Sequence, residues 1–427
     1  MYKAPRGTTD ILPGEQAYWA HVQQRAAQVC LLYGYERIDT PAFEDYRLFA
    51  RTDAEGTDLV EKEMYVFEDR SGQKLALRAE NTAPVCRAYV EHGLFNLSQP
   101  VRLYYIGPTF RYERPQAGRY RQHHQFGCEA LGDASPSLDV EVIELAIRFL
   151  ESLGLTGLSV LLNSIGCHEC QPAYVEVLRQ HYRTLSATVC SDCRVRMVRN
   201  PLRLLDCKES ACKRIADEAP HISDYLCAEC KDHFREVQDQ LRVLGIPFAL
   251  NHKLVRGLDY YTRTVFEILP QRQGAQSAIV GGGRYDGLIE AIGGKSTPAV
   301  GFAMGMERII LNIKEQGLDV PVPPGPRVYV AHVGEPARLT AISIARQLRD
   351  AGIGVLAATG GKSLKAQLRQ ANTLGAGYTV ILGDNEAATR TAVVRDMSRN
   401  EQATLPQDDL AEHLATALGR PSDGASP

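Results

Sequence analysis

The chain has 427 residues, 44% hydrophobic and 23% charged, with a net charge of −3. That length predicts two or three domains, and the composition excludes a fibrous or disordered class. No apolar run approaches the roughly 20 residues of a membrane helix, so no membrane partner is expected, while a local basic face would suffice for a nucleic acid. The opening MYKAPRGTTDILPGEQ lacks the apolar core of a secretory signal. Eleven cysteines, an odd count without such a signal, argue against a disulfide framework. Reduced thiols or a metal site in the cytoplasm fit better. Eight of the 11 fall between Cys167 and Cys230.

Trp19, Val22, Ala26, Val29 and Tyr33 recur at helical spacing and predict an amphipathic helix over 17–33. Extended segments follow at 35–38 and 74–78. Strands at 102–106 and 120–129 flank a loop at 113–118 and read as a long hairpin. A helix is expected over 139–150, with Ile143, Ile147 and Leu150 inward and acids in its first turn. Residues 171–215 carry nine Lys/Arg against four Asp/Glu. With the paired cysteines and a helical pattern at 232–244, they mark a segment of different character. Strands return at 265–269, 278–280 and 300–302, so about 170–250 reads as a Cys-rich, largely helical insertion in a domain spanning 1–320. The stretch PVPPGP at 321–326 is a stiff linker. Strands and helices alternate over 327–418, a small α/β domain, and 419–427 reads as a disordered tail.

Five segments carry candidate chemistry. In FRYERPQAGRYRQHHQFGCE, 110–129, Arg111 ends one strand, while Gln125 and Glu129 share a face of the next. A guanidinium, a carboxamide and a carboxylate together can hold an anion and a zwitterion. An exposed hairpin with solvated charges has the same composition. In LVRGLDYYTRTVFEI, 254–268, Gly257 permits a turn beside Arg256, and Tyr260 and Tyr261 offer a flat wall with two hydroxyls. A strand entry with core aromatics would look alike. GGGRYDGL, 281–288, reads as a glycine-rich loop that a ligand approaches closely. AVGFAMGMERI, 299–309, runs from a strand into a helix that presents Arg308. In LRAENTAPVCR, 77–87, Glu80 and Thr82 alternate onto one side. The sequence GGKS at 360–363 has Leu356 where a phosphate loop needs glycine, and reads as a helix start.

Taken in this order, the segments resemble the histidyl-tRNA synthetase family over nearly the whole chain. GYERIDTPAFE, 34–44, with Pro41, is similar to class II motif 1; 110–129 resembles motif 2 and 299–309 motif 3. RGLDYYTRTVFE and GGGRYDGL resemble the two histidine-specific signatures. GKSLKAQLRQAN, 361–372, resembles part of an anticodon-binding domain. The resemblance implies an α+β fold: a class II antiparallel sheet flanked by helices, a helical insertion and a C-terminal α/β anticodon-binding domain. It implies ATP-dependent ligation of L-histidine to its tRNA through histidyl-adenylate, releasing AMP and pyrophosphate, with Mg²⁺ accompanying ATP and a homodimer built on motif 1.

By the same resemblance, Glu80, Thr82 and Gln125 hold the α-amino group of histidine. Glu129 and Tyr261 address the imidazole nitrogens, and Tyr260 closes the pocket. Arg111 and Arg256 bracket the α-phosphate, Arg308 the far end of the triphosphate, and Glu113 and His123 belong to the ATP site. Arg256, Arg111 and Gln125 form the catalytic set. Arg114 and Gln116 reach the acceptor end of tRNA. The chain departs from the family pattern at Ala79 and Asn81, which flank Glu80, and at His123, where a phenylalanine is usual. An imidazole there introduces a titration near pH 6.5. Cys190, Cys193, Cys227 and Cys230 have the paired spacing of a structural zinc site; reduced thiols in a helical insertion are the other reading. A regulatory subunit of ATP phosphoribosyltransferase shares this core, and a synthetase for proline or threonine shares the class. The RGLDYY signature and the domain after 326 weigh against both.

Overall fold

The computed structural model describes residues 2–50, 60, 63–113, 120–185, 188–270, 278–322, 325 and 327–419. Of the tail expected over 419–427, all but Gly419 lies outside them. The chain divides into two compact units, Met1–Pro321 and Val322–Pro427.

In the first unit the strands are β1 (Glu36–Arg37), β2 (Phe43–Asp45), β3 (Val66–Glu68), β4 (Lys74–Leu77), β5 (Val101–Phe110), β6 (Gln122–Leu131), β7 (Leu158–Ser164), β8 (Phe248–Leu250), β9 (Thr262–Pro270), β10 (Val280–Arg284) and β11 (Ala299–Gly305). Its helices are α1 (Gln16–Leu32), α2 (Tyr46–Phe49), α3 (Thr82–Glu91), α4 (Pro136–Ser152), α5 (Gln171–Thr184), α6 (Ser191–Arg199), α7 (Ser210–Asp217), α8 (Ala228–Val243), α9 (Leu288–Ala291) and α10 (Met306–Glu315). Eight strands form one sheet in the order β1-β5-β6-β11-β10-β9-β7-β8, and β2-β4-β3 form a small second one. The expected antiparallel sheet is antiparallel only in its middle. The edge strands β1 and β8 each run parallel to their neighbours, so the sheet is mixed. Each edge strand is reached by a long connection rather than a hairpin, which is what parallel pairing requires.

One face of this sheet is apolar. Phe126 and Cys128 of β6, Phe302 and Met304 of β11, and Phe266 of β9 are buried against α1, α4 and α10. Phe126 meets Phe149 of α4 edge-on, with ring centroids 4.7 Å apart. α1 buries Trp19, Val22, Ala26 and Val29 as its spacing predicts, together with Cys30, while the expected Tyr33 is the half-buried C-cap.

The segment 281–288 is not a loop. Its glycines form β10, hydrogen-bonded on both sides, to β9 and β11. The predicted strand at 278–280 therefore ends where the real one begins. β-propensity rewards branched side chains, so a glycine strand goes unseen. The segment 77–87 also differs: Thr82 opens α3, and Glu80 folds over that helix start, accepting from the amides of Thr82 at 2.6 Å and Ala83 at 3.0 Å. Between β7 and β8 the chain makes the helical excursion α5–α8.

The second unit has strands β12 (Val328–His332), β13 (Val355–Ala357), β14 (Tyr378–Leu382), β15 (Thr391–Asp396) and β16 (Gln402–Pro406), with helices α11 (Glu335–Asp350), α12 (Leu364–Thr373), α13 (Asp384–Thr389) and α14 (Leu410–Ala417). The sheet order is β13-β12-β14-β15-β16. α11 and α14 bury one face, while α12 sets Ala371 against Tyr329 and Ala331 on the other. Ser363 caps α12 through the Ala366 amide, so GGKS is a helix start.

Candidate active site

The second face of the large sheet is built in rows. Register aligns Gly107, Gln125 and Gly305 across β5, β6 and β11. The next row is Tyr105, Gly127, Ala303, Gly281 and Glu267; the one after is Leu103, Glu129, Gly301, Gly283 and Val265. Paired residues share a face, so Gln125 and Glu129 stand on a floor of glycines. The glycines supply room. A Cβ at Gly301 would strike the Glu129 carboxylate, one at Gly127 the Tyr105 hydroxyl, and one at Gly281 the Arg256 guanidinium.

Glu129 is 1% exposed. Its Oε1 accepts from Thr82 Oγ1 at 2.7 Å and from the Tyr105 hydroxyl at 3.1 Å, and its Oε2 accepts from the Tyr285 hydroxyl. Burial pushes the carboxyl up to about 8, partly offset by these hydroxyl donors and aided by the nearby Glu80 charge. Gln125 Oε1 accepts from Asn81 Nδ2 at 3.1 Å, which gives the unusual Asn81 a partner inside the site. Tyr260 packs between Tyr261, 4.9 Å away by ring centroid, and Tyr285, 5.6 Å away. Glu80, Thr82, Gln125, Glu129 and Tyr261 are all buried.

Arg256 lies beside this group. Its Nη1 pairs with Glu267 Oε1 at 2.5 Å, and its guanidinium sits 5.8 Å from the Tyr261 ring centre. Its Nε is buried and finds no acceptor among the described residues. A buried donor of this kind is satisfied by an anion. Arg111, just past the end of β5, donates from Nε to the Ala79 carbonyl at 2.8 Å. Arg308, on the first turn of α10, donates to the Ala278 carbonyl. The amide of Glu113 donates to the Arg111 carbonyl at 2.8 Å.

His123 Nε2 meets Thr109 Oγ1 at 2.9 Å. Burial, with Arg111, His124 and Arg308 nearby, pushes its imidazole down to about 3. The titration near pH 6.5 expected from its type is therefore absent, because a charged ring would be both desolvated and repelled. The ring is neutral at physiological pH. Arg114 and Gln116 lie outside the described residues.

Several residues here carry no weight in a motif reading. Tyr105 and Tyr285 both donate to Glu129. Tyr105 pairs with Gly127, midway between Gln125 and Glu129, and that alternation was the available signal. Behind the pocket, Asp139 is fully buried. It accepts from Arg284 Nε at 2.8 Å, Thr264 Oγ1 at 2.7 Å and His233 Nε2 at 2.6 Å. It is thus the hub joining α4, α8, β9 and β10, not simply a first-turn acid facing the helix dipole.

The cysteines do not group as their spacing suggests. Cys190 and Cys193 join Cys207 and Cys212, whereas Cys227 and Cys230 join Cys167 and Cys170. The reason is topological: Cys167 and Cys170 follow β7, Cys227 and Cys230 open α8, the helix that leads back to β8 beside β7, and the cysteines between them form a separate cluster.

Comparison with known proteins agrees with this geometry. A family model described as histidyl-tRNA synthetase matches residues 7–309, and one described as anticodon binding domain matches 327–416. A histidine–tRNA ligase of Dehalococcoides mccartyi strain 195 is 57% identical, covering 96% of this chain and 98% of the relative. One from Caldanaerobacter subterraneus subsp. tengcongensis is 46% identical over 97% and 99%. The crystal structure of apo S. aureus histidyl-tRNA synthetase superposes with a TM-score of 0.81 at 36% identity, covering 97% of this chain and 99% of that one. With both histidine-specific signatures on one pocket and identity sustained along the full length, the chain belongs to the histidyl-tRNA synthetase family.

Proposed function

We propose that this chain activates L-histidine with ATP as histidyl-adenylate and transfers the histidyl group to its tRNA, as a histidine–tRNA ligase. The observation that carries the reading is Glu129: a buried acceptor ringed by hydroxyls, on a glycine floor, beside an arginine whose buried Nε has no acceptor among the described residues. An imidazole N–H donates to Glu129 and the Tyr261 hydroxyl serves the other ring nitrogen, so both polar ends of the ring are satisfied. Glu80, Thr82 and Gln125 receive the α-amino group, and Tyr260 closes the pocket.

In the first step a histidine carboxylate oxygen attacks the α-phosphorus and pyrophosphate leaves. Negative charge gathers on the α-phosphoryl oxygens, where Arg256 and Arg111 hold it. Arg308 meets the far phosphates, Glu113 and a neutral His123 attend the adenosine end, and Mg²⁺ arrives with ATP as part of the substrate. In the second step a terminal ribose hydroxyl of tRNA attacks the acyl carbonyl and AMP leaves. Arg114 and Gln116 contact the acceptor end, and the unit after 321 binds the anticodon. A structural zinc site in the cysteine-rich insertion and a cytoplasmic location complete the reading.

Amino-acid-dependent ATP–pyrophosphate exchange tests it. Histidine alone should support exchange. Exchange with proline or threonine, or none with any amino acid, would assign the chain to another synthetase or to a regulatory subunit. We also propose a homodimer. Phe43 of the motif 1 segment is exposed and packs edge-on with exposed Phe67, at 6.2 Å, an apolar pair suited to a twofold partner. Sedimentation at micromolar concentration should give twice the chain mass, and a fully active monomer would contradict it.

A further inference from the structure

The excursion between β7 and β8 encloses eight thiols in two sets of four. Within each set, all four Sγ atoms lie within 4.8 Å of one another. In the first, Cys167 is 3.7 Å from Cys170 and 3.9 Å from Cys227, and Cys170 is 3.9 Å from Cys230. In the second, Cys190 is 3.8 Å from Cys207. Four thiolates at the ordinary zinc–sulfur distance of about 2.3 Å form a tetrahedron with edges of about 3.8 Å. A disulfide needs about 2.05 Å, and every cysteine of the chain is a free thiol. Iron–sulfur clusters place thiolates on separate irons and spread them further apart.

The surroundings suit thiolates. The Cys167 amide donates to Cys170 Sγ at 3.2 Å, the Cys190 amide to Cys212 Sγ at 3.3 Å, and the Cys193 amide to Cys190 Sγ at 3.5 Å. Cys190 and Cys227 are the N-cap residues of α6 and α8, where helix dipoles favour negative sulfur. Gly166 is left-handed, with φ +71°, and a side chain there would strike Cys170 Sγ. The loop is wound around that sulfur. A zinc ion with four thiolates carries charge −2, and the span 171–215 that holds the second set has nine basic against four acidic residues to offset it. The thiols also form the centre of the insertion's core, where Cys170, Cys193, Cys207, Cys212 and Cys230 are buried among Tyr174, Leu178 and Tyr182.

We infer that the insertion holds two structural zinc ions, one on Cys167, Cys170, Cys227 and Cys230 and one on Cys190, Cys193, Cys207 and Cys212. This rests on, and deepens, the zinc site proposed above, by fixing the number of ions and the pairing. The first ion ties the two ends of the insertion together. It sits next to the pocket signature, because the Ile165 amide donates to the Arg263 carbonyl at 2.8 Å and the Arg263 amide to the Gly166 carbonyl at 2.8 Å, two residues past Tyr261. The second ion organises the outer helices.

The test is metal content of the full chain, purified without chelators from zinc-supplemented cells. Two zinc ions per chain are expected, falling to one in the double variant C190S/C193S, to one in C227S/C230S, and to none when both pairs are replaced. One ion per chain, lost in both double variants, would overturn the pairing while leaving zinc in the insertion. Less than half an ion per chain, coloured iron in its place, or disulfides by non-reducing mass spectrometry would overturn zinc altogether. Should the variants fail to fold, cobalt titration of the metal-stripped wild-type chain decides. Thiolate-to-cobalt absorption should grow through two equivalents, and saturation at one would overturn the second site.

Discussion

Glu129 holds its carboxyl against the cost of burial, and that makes the pocket sensitive to pH. With its acidity pushed up to about 8, the group is mostly protonated at neutral pH in the ligand-free enzyme. The proposed imidazole contact needs an acceptor there, so affinity for histidine should rise as pH passes upward through 8. The ionised fraction goes from about one in ten at pH 7 to about three in four at pH 8.5. The histidine KM should therefore fall by roughly eightfold over that interval. Glu129→Gln should raise KM for histidine far more than for ATP and remove this fall; the substrate's own titration stays in both proteins and cancels in the comparison. A parallel pH profile in the variant would remove the imidazole role. Arg256→Ala takes away the charge proposed to meet the α-phosphate and should cost about 3 kcal/mol, or about 10²-fold, in pyrophosphate exchange. Exchange within about threefold of wild type would dissociate Arg256 from the chemistry.

Among elements, those with a repeating face were legible and those without one were not. α1 announced itself through Trp19, Val22, Ala26 and Val29, because burial on one side leaves a period. The hairpin of β5 and β6 was visible for the same reason, and with it Gln125 and Glu129 on one face. β10 was not, since glycines chosen to clear space for Arg256 carry no periodic signal. Nor were Tyr105 and Tyr285, whose role depends on which strands become neighbours. The cysteine grouping was hidden likewise, because spacing along the chain says nothing about the meeting of β7 and β8. Asp139 marks the same limit: an acid near a helix start, it turns out to neutralise the fully buried Arg284. Asp139→Asn should leave that fully buried guanidinium with Asp286, at 3.2 Å, as its remaining carboxylate partner, and should destabilise the catalytic unit by about 3 kcal/mol. The double variant D139N/R284M should recover part of the loss, since it removes the buried charge that has lost its main partner. Denaturant midpoints as low in the double variant as in the single one would show that the charge pair is not the cause.

At the scale of the molecule, the proposed function assigns the two steps of the reaction different demands on the two units. Every residue placed in the pocket, from Glu80 to Arg308, belongs to the unit Met1–Pro321. The unit Val322–Pro427 has its own cores, built on Val328, Val330, Ile344 and Leu348 on one face and on Tyr329 and Ala371 on the other. Adenylate formation needs only small substrates, so it should depend on the first unit alone. Transfer needs the tRNA held at both ends, and a second contact raises the effective concentration of the acceptor end at the pocket. A chain ended after Pro321 should therefore keep histidine-dependent pyrophosphate exchange within about threefold of wild type. Its aminoacylation at limiting tRNA should fall by about 10²-fold or more, the gain that a second binding contact ordinarily supplies. The two assays on one protein separate the alternatives. If both activities fall together, the second unit supports the pocket itself; if neither falls, it plays no part in holding tRNA.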